Sequence, residues 1–113
     1  MFTLLIGDTE TTGFDRDNDY LAEIFIIAPY NGVIDFHIFL KVPTNAWDKL
    51  NNNKSFPTAI KLKQTCNPDN LESKEPREAF LMLNRWLSQF TNPVLMFHNV
   101  DFDRAFIENT VKK

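Results

Sequence analysis

The hydrophobic period of this 113-residue chain changes at Glu75-Pro76, and that change constrains its fold more than any other feature. Upstream, apolar residues run together or alternate, as strands require; downstream they recur every three or four residues, as a helix requires. Residues 2–7, FTLLIG, form a continuous apolar run of the kind carried by a central strand buried on both faces. YLAEIFIIAPY, 20–30, predicts a second strand ended by Pro29, and Asn31-Gly32 is a two-residue hairpin signal. VIDFHIFLKV, 33–42, alternates as a third strand, antiparallel to the second. Residues 43–75, rich in Pro, Asn, Lys and Ser, read as a long surface excursion with room for short helical turns such as TAIKLKQ, 58–64.

Beyond the change, PREAFLMLNRWLSQF places Ala79, Phe80, Leu83, Trp86, Leu87 and Phe90 on one helical face, with Pro76 suited to the first turn. NPVLMFHN is a short apolar strand, and DFDRAFIENTVKK begins a helix with acids in its first turn. The order β-β-β-α-β-α predicts one α/β domain over 1–113, opening with a hairpin and entering a parallel crossover. The last helix meets the end of the sequence without a stop signal, so the expectation is an N-terminal portion of a longer chain. A sheet in that state exposes one edge and an apolar face.

The net charge of −3 gives the chain as a whole no basic signature for nucleic acid or membrane. The charges are nevertheless segregated. Six acids and only Arg16 lie between Asp8 and Glu23, whereas five lysines and only Asp48 lie between Lys41 and Lys63. That suits a polyanion held against bound cations, and equally suits solvated loops of mixed sign. The lone Cys66 excludes an internal disulfide framework and a cysteine-based zinc site. No apolar run approaches the roughly 18 residues that span a bilayer, and the N-terminus lacks a signal peptide. The expectation is a cytoplasmic protein with no membrane partner.

The first strand ends in DTETTGF, 8–14. Side chains two apart on a strand share a face, about 6 to 7 Å from each other. Asp8 and Glu10 therefore project together from the carboxyl end of a strand, the edge of an α/β sheet where ligands bind. Such a pair shares a proton, holds a cation, or stays solvated at a loop entrance. Oxygen-only donors suit Mg²⁺ or Mn²⁺ better than zinc. Thr11, Thr12 and Gly13 predict a tight turn offering backbone N–H groups and hydroxyls, with Gly13 allowing close approach of a phosphate or base. Phe14 either stacks on a nucleobase or packs. In FHNVDFDRAFIEN, 97–109, Asn99 is a candidate N-cap. Phe102 and Phe106 face the core. Asp101 and Asp103 either complement the helix dipole or supply a third carboxylate.

DTETTGF followed by HNVDFDRAF resembles the first and second motifs of the DEDD exonucleases, closest to the DnaQ-like group that contains the proofreading epsilon subunit of bacterial replicative polymerase. The resemblance covers 1–113 in element order. It implies a ribonuclease H-like mixed sheet and 3′-to-5′ hydrolysis of nucleic acid, with DNA the more expected substrate and RNA left open, using two Mg²⁺ or Mn²⁺ ions. By matching position it makes Asp8, Glu10 and Asp103 the catalytic metal ligands and leaves Asp101 at a variable position. It sets Thr11, Thr12, Gly13 and Phe14 beside the terminal nucleotide, and His98 and Asn99 in the second-motif lead-in. It also implies a single-stranded 3′ end as partner, and a DNA polymerase subunit as a further one.

Glu23 matches the acid of the second strand, but Phe25 stands where the family usually has a small residue. The family's third motif, a His followed five residues later by Asp on a later helix, has no counterpart among His37 and His98. Asp103 does follow His98 by five, but in a strand-to-helix context that belongs to the second motif. Residues 1–113 alone are therefore expected to be weak or inactive, since a general base contributes roughly 10² to 10⁴-fold. The alternative is a non-catalytic module that keeps the fold and binds nucleic acid or a polymerase.

Overall fold

The computed structural model describes residues 1–13, 15, 17–29, 32–43, 66 and 72–112. Five strands, β1 (Thr3–Thr11), β2 (Leu21–Ile27), β3 (Phe36–Leu40), β4 (Ser73–Lys74) and β5 (Pro93–Phe97), form one mixed sheet in the order β4-β3-β2-β1-β5. β1 pairs antiparallel with β2 and parallel with β5; β2 pairs antiparallel with β3, and β3 parallel with β4. The helices are α1 (Pro76–Leu87) and α2 (Val100–Lys112). The expected α/β class and the antiparallel β1-β2-β3 order followed by helix, parallel strand and helix are thus present.

Both helices lie on one side of the sheet. Leu5, Ile24, Ile26, Phe36, Ile38 and Leu40, alternating along their strands, join Ala79 and Leu83 of α1 and Phe106 of α2 in one buried core. Phe80, Trp86, Leu87 and Phe90 pack against it, which accounts for the whole apolar stripe read from residues 76–90. Trp86, half-buried, packs its ring beside Phe36 and donates from Nε1 to the carbonyl of Ile34 at 3.0 Å, which ties α1 to the approach to β3. Between α1 and β5 the chain turns through Asn92 at φ 45°, a left-handed conformation that Asn tolerates. The Asn92 carbonyl accepts from Thr3 N–H at 3.2 Å, so the turn itself sets β5 against β1.

Several expectations are corrected. β1 is central but buried on one face only: Leu4 and Ile6 are 36% and 41% exposed, while Leu5, Gly7 and Thr9 are buried. Unbroken apolarity marked a flanked strand correctly, but here only one side carries helices. Val94 and Met96 of β5 extend the exposed apolar strip beside Leu4 and Ile6. The strand also runs further than its apolar run, through both acids to Thr11. The β2-β3 connection is no two-residue hairpin, because the ladder closes at Ile26 opposite Phe36. Gly32 does adopt the left-handed φ of 62° that its place in the turn signal suggests; Asn31 lies outside the described residues.

The span 43–75 is more than a surface excursion. Ser73 and Lys74 add β4 to the sheet beside Phe39 and Leu40, and Ser73 is buried. The proposed turn 58–64, and all the basic-stretch lysines except Lys41, lie outside the described residues. Cys66 packs with Ala22 and Val42 and donates from Sγ to the Ala22 carbonyl at 3.3 Å. Burial pushes its thiol up to about 12, so it is an inert packing group at neutral pH.

Gly7 stands level with Phe97 across the β1-β5 ladder, on the helix-covered face. A Cβ there would lie 2.5 Å from the Phe97 ring. Gly7→Ala is expected to destabilise the chain by about 1–3 kcal/mol, the usual cost of overpacking. Phe97→Leu in the same chain should recover part of that loss. Urea unfolding of the single and double variants measures it, and an unchanged midpoint for Gly7→Ala would contradict the packing described.

Candidate functional site

The period of β1 sorts its polar end onto two sides. Asp8 and Glu10 continue the exposed row of Leu4 and Ile6, whereas Thr9 continues the buried row of Leu5 and Gly7. Across the ladder, Asp8 faces Phe25 and Glu10 faces Glu23. The register then shifts between Glu10 and Thr11, a β-bulge that falls at the exit of the acidic rung. Two glutamates directly opposite each other repel. The Nε2 of His37, on β3, meets the Oε2 of Glu23 and draws that carboxylate into an ion-pair geometry. Phe25 and Phe39 flank the imidazole at ring-centroid distances of 5.2 and 4.8 Å.

Asp103 arrives from the other direction. The carbonyl of Asn99 accepts from Asp103 N–H at 3.0 Å, so Asn99 holds the N-cap backbone position expected of it. One helical turn later Phe106 is locked in the core, its ring 4.8 Å from that of Phe102. Between them Asp103 points inward, 4% exposed, and its Oδ1 accepts from the Thr9 hydroxyl. Asp101 stays exposed in the first turn, as befits a helix-dipole partner. His98 and Asn99 are exposed in the turn after β5, and His98 lies close enough to favour the ionised form of Asp103.

The acids perturb each other. Glu10 is raised above its ordinary value of 4.5, first by burial and then by Asp8, Glu23 and Asp103. Asp103 is raised from 3.8 by burial and by Asp8, against the opposing effect of the Thr9 hydroxyl. All three carboxylates therefore share one electrostatic neighbourhood. Their donor chemistry fits a hard divalent ion. Asp8 and Glu10 also fit by placement, on one face at the end of one strand. Asp103 fits by type but stands behind the strand, and among the described residues no three acids, histidines or cysteines lie close enough together to hold a metal ion.

The turn after β1 differs in use from its reading. The Thr11 hydroxyl donates to the Gly13 carbonyl at 2.5 Å. Thr12 is buried; its N–H donates to the Tyr20 carbonyl and its hydroxyl accepts from Tyr20 N–H, both at 2.9 Å. Both hydroxyls thus serve the turn itself. Gly13 is required by a neighbouring side chain, since a Cβ there would lie 2.3 Å from Oδ2 of Asp19. Phe14 lies outside the described residues. The sequence reading did not single out Thr9 or Asp19. Thr9 was legible only as a polar residue on the buried side of a strand, which needs a partner. Asp19 sits just before β2, where its type alone suggests an ordinary turn acid.

Neither the protein-family models nor the curated proteins compared with this chain match it. No helix among the described residues is long and apolar enough to cross a membrane.

Because Glu10 takes up a proton more readily in the folded than in the unfolded chain, its contribution to stability is present below its ordinary value and is lost as pH rises through the raised one. Glu10→Gln is therefore expected to melt higher than the parent chain at pH 7, with the advantage vanishing as pH falls below about 4. Thermal melts across that range check this; equal melting temperatures at neutral pH would contradict the crowding.

Proposed function

We propose that this chain is a nuclease domain of the DEDD type with a ribonuclease H-like fold, built to remove nucleotides from the 3′ end of single-stranded nucleic acid, DNA in preference to RNA. The observation that carries the reading is the side-by-side projection of Asp8 and Glu10 from the end of β1, with Asp103 brought into their electrostatic reach from the start of α2. The order of the sheet and the matching residue strings DTETTGF and HNVDFDRAF support it.

A pair of Mg²⁺ or Mn²⁺ ions would supply the activation of a water and the stabilisation of the departing 3′ oxygen. Asp8 and Glu10 would hold the ions, and the resemblance makes Asp103 the third carboxylate. Burial first, and repulsion from neighbouring carboxylates second, raise Glu10 and Asp103; a cation would offset the repulsion, so the crowding costs the folded chain stability and would give affinity for the ion in return. Glu23, steadied by His37, keeps a fourth negative charge at the edge of this cluster. A docked polymerase subunit remains part of the proposal only through the resemblance.

One observation favours a second reading, a module that keeps the fold and binds nucleic acid without cutting it: no three of the described acids converge on one point. Manganese separates the two. For the nuclease, Mn²⁺ raises the melting temperature of the parent chain, by about 2.7 kcal/mol in stability at 100 times the dissociation constant, and Asp8→Ala abolishes the rise. Metal-dependent release of nucleotides from an end-labelled strand should disappear in the same variant. A parent chain indifferent to Mn²⁺ supports the binding module instead.

A further inference from the structure

Asp19 is 2% exposed and lies outside every strand and helix. Its Oδ1 accepts from the Thr12 hydroxyl at 3.1 Å, and its Oδ2 accepts from Asp15 N–H at 2.9 Å. Its own N–H donates to the Asp15 carbonyl at 2.6 Å, and Gly13 passes so close that only hydrogen fits between them. The Thr12 hydroxyl that it anchors also receives Tyr20 N–H. One carboxylate therefore clamps both ends of the loop between β1 and β2. A carboxyl group buried this deeply is costly unless donors are organised around it, and Thr12 and Asp15 supply them.

That loop leaves β1 one residue after Glu10, at the point where the β1-β2 register shifts. Upstream of the shift, β1 is laddered with β5 from Thr3 to Gly7 and with β2 as far as Glu10, so β2 holds the segment that carries the acid pair. Downstream, the turn is held by the Asp19 network and the Thr12–Tyr20 backbone bond. Asp8 and Glu10 are thus positioned by the sheet, and the turn beside them by Asp19.

We propose that Asp19 is a positioning residue that holds the Thr11–Gly13 turn in the conformation that receives the 3′-terminal nucleotide of a single strand beside Asp8 and Glu10. This rests on the nuclease reading above. Asp19 acts on substrate and not on the metal. Its removal shifts the turn while the ladders keep the acid pair in place.

The test uses the 113-residue chain with Mn²⁺, followed by its paramagnetic resonance, and a single-stranded DNA oligomer carrying a fluorescent 3′-terminal base. Asp19→Asn keeps the shape but leaves one acceptor oxygen where the carboxylate has two, so either Asp15 N–H or the Thr12 hydroxyl loses its acceptor. Thr12→Val keeps the shape and removes the hydroxyl, whereas Thr12→Ser restores it. Asp19→Asn and Thr12→Val are expected to weaken oligomer binding roughly tenfold, the loss of one hydrogen bond to a charged group. Thr12→Ser should bind as the parent does, and Mn²⁺ affinity should be unchanged in all three. Unaltered oligomer binding in Asp19→Asn and Thr12→Val, even with lower melting temperatures, overturns the proposal and leaves Asp19 a structural residue. Loss of Mn²⁺ affinity alongside oligomer binding also overturns it. Should Asp19→Asn not fold, the Thr12 pair decides on the same terms. A parent chain that binds neither Mn²⁺ nor the oligomer sinks the nuclease reading itself, a result recognisable before any variant is made.

Discussion

The pairing of β1 on both of its edges is the constraint from which the rest of the structure follows. A strand held by β2 on one side and β5 on the other cannot slip by one residue without turning its apolar row to the wrong face. Leu5 in the core and Gly7 under the Phe97 ring fix that choice. Once it is fixed, the faces of Asp8, Thr9 and Glu10 are no longer free. The two acids must share the exposed face, and the threonine between them must look into the helix layer. The site is therefore a consequence of packing several residues away, not of any preference of the acids for each other.

The same logic explains how a residue 95 positions downstream of Asp8 enters its electrostatic neighbourhood. β5 is parallel to β1, so both strands end at the same edge, and only two residues separate the end of β5 from the start of α2. Phe106 anchors that helix to the core and turns Asp103 inward, where the Thr9 hydroxyl is its partner. Backbone topology brings the second motif to the first, and the rotation of α2 sets which oxygen meets which neighbour. Thr9 thus links the two motifs directly, since it is bonded covalently to Asp8 and Glu10 and by hydrogen bond to Asp103.

Element types and order were legible because they are written in periodicity. The alternation of 33–42 and the stripe of 76–90 each required only local counting. The placement of Asp8 and Glu10 on one face was legible for the same reason. What the sequence did not disclose is pairwise and long-range. β4 is two residues of polar composition whose strand identity comes wholly from lying beside Phe39 and Leu40. Whether β1 is covered on one face or two depends on where helices pack, which the apolarity of 2–7 does not encode. Thr12 and Gly13 looked like groups offered to a ligand, because a hydroxyl and a missing side chain are what ligand turns use. Only the position of Asp19 shows that the loop consumes them internally.

The acidic rung and the loop after it accommodate their acids in different ways. Glu23 stands directly opposite Glu10, a pairing that a sheet selected for stability alone avoids. His37 meets Glu23 and not Glu10, which stays raised first by burial and then by three neighbouring carboxylates. Asp19 shows the contrasting solution: a more deeply buried acid, in the loop after β1, satisfied by donors on both oxygens. Two acids within ten residues of each other thus receive opposite treatment, one provided with hydrogen bonds and the other left in repulsion. A fold that supplies donors to the first and leaves the second among other carboxylates concentrates acidic side chains at the mouth of β1.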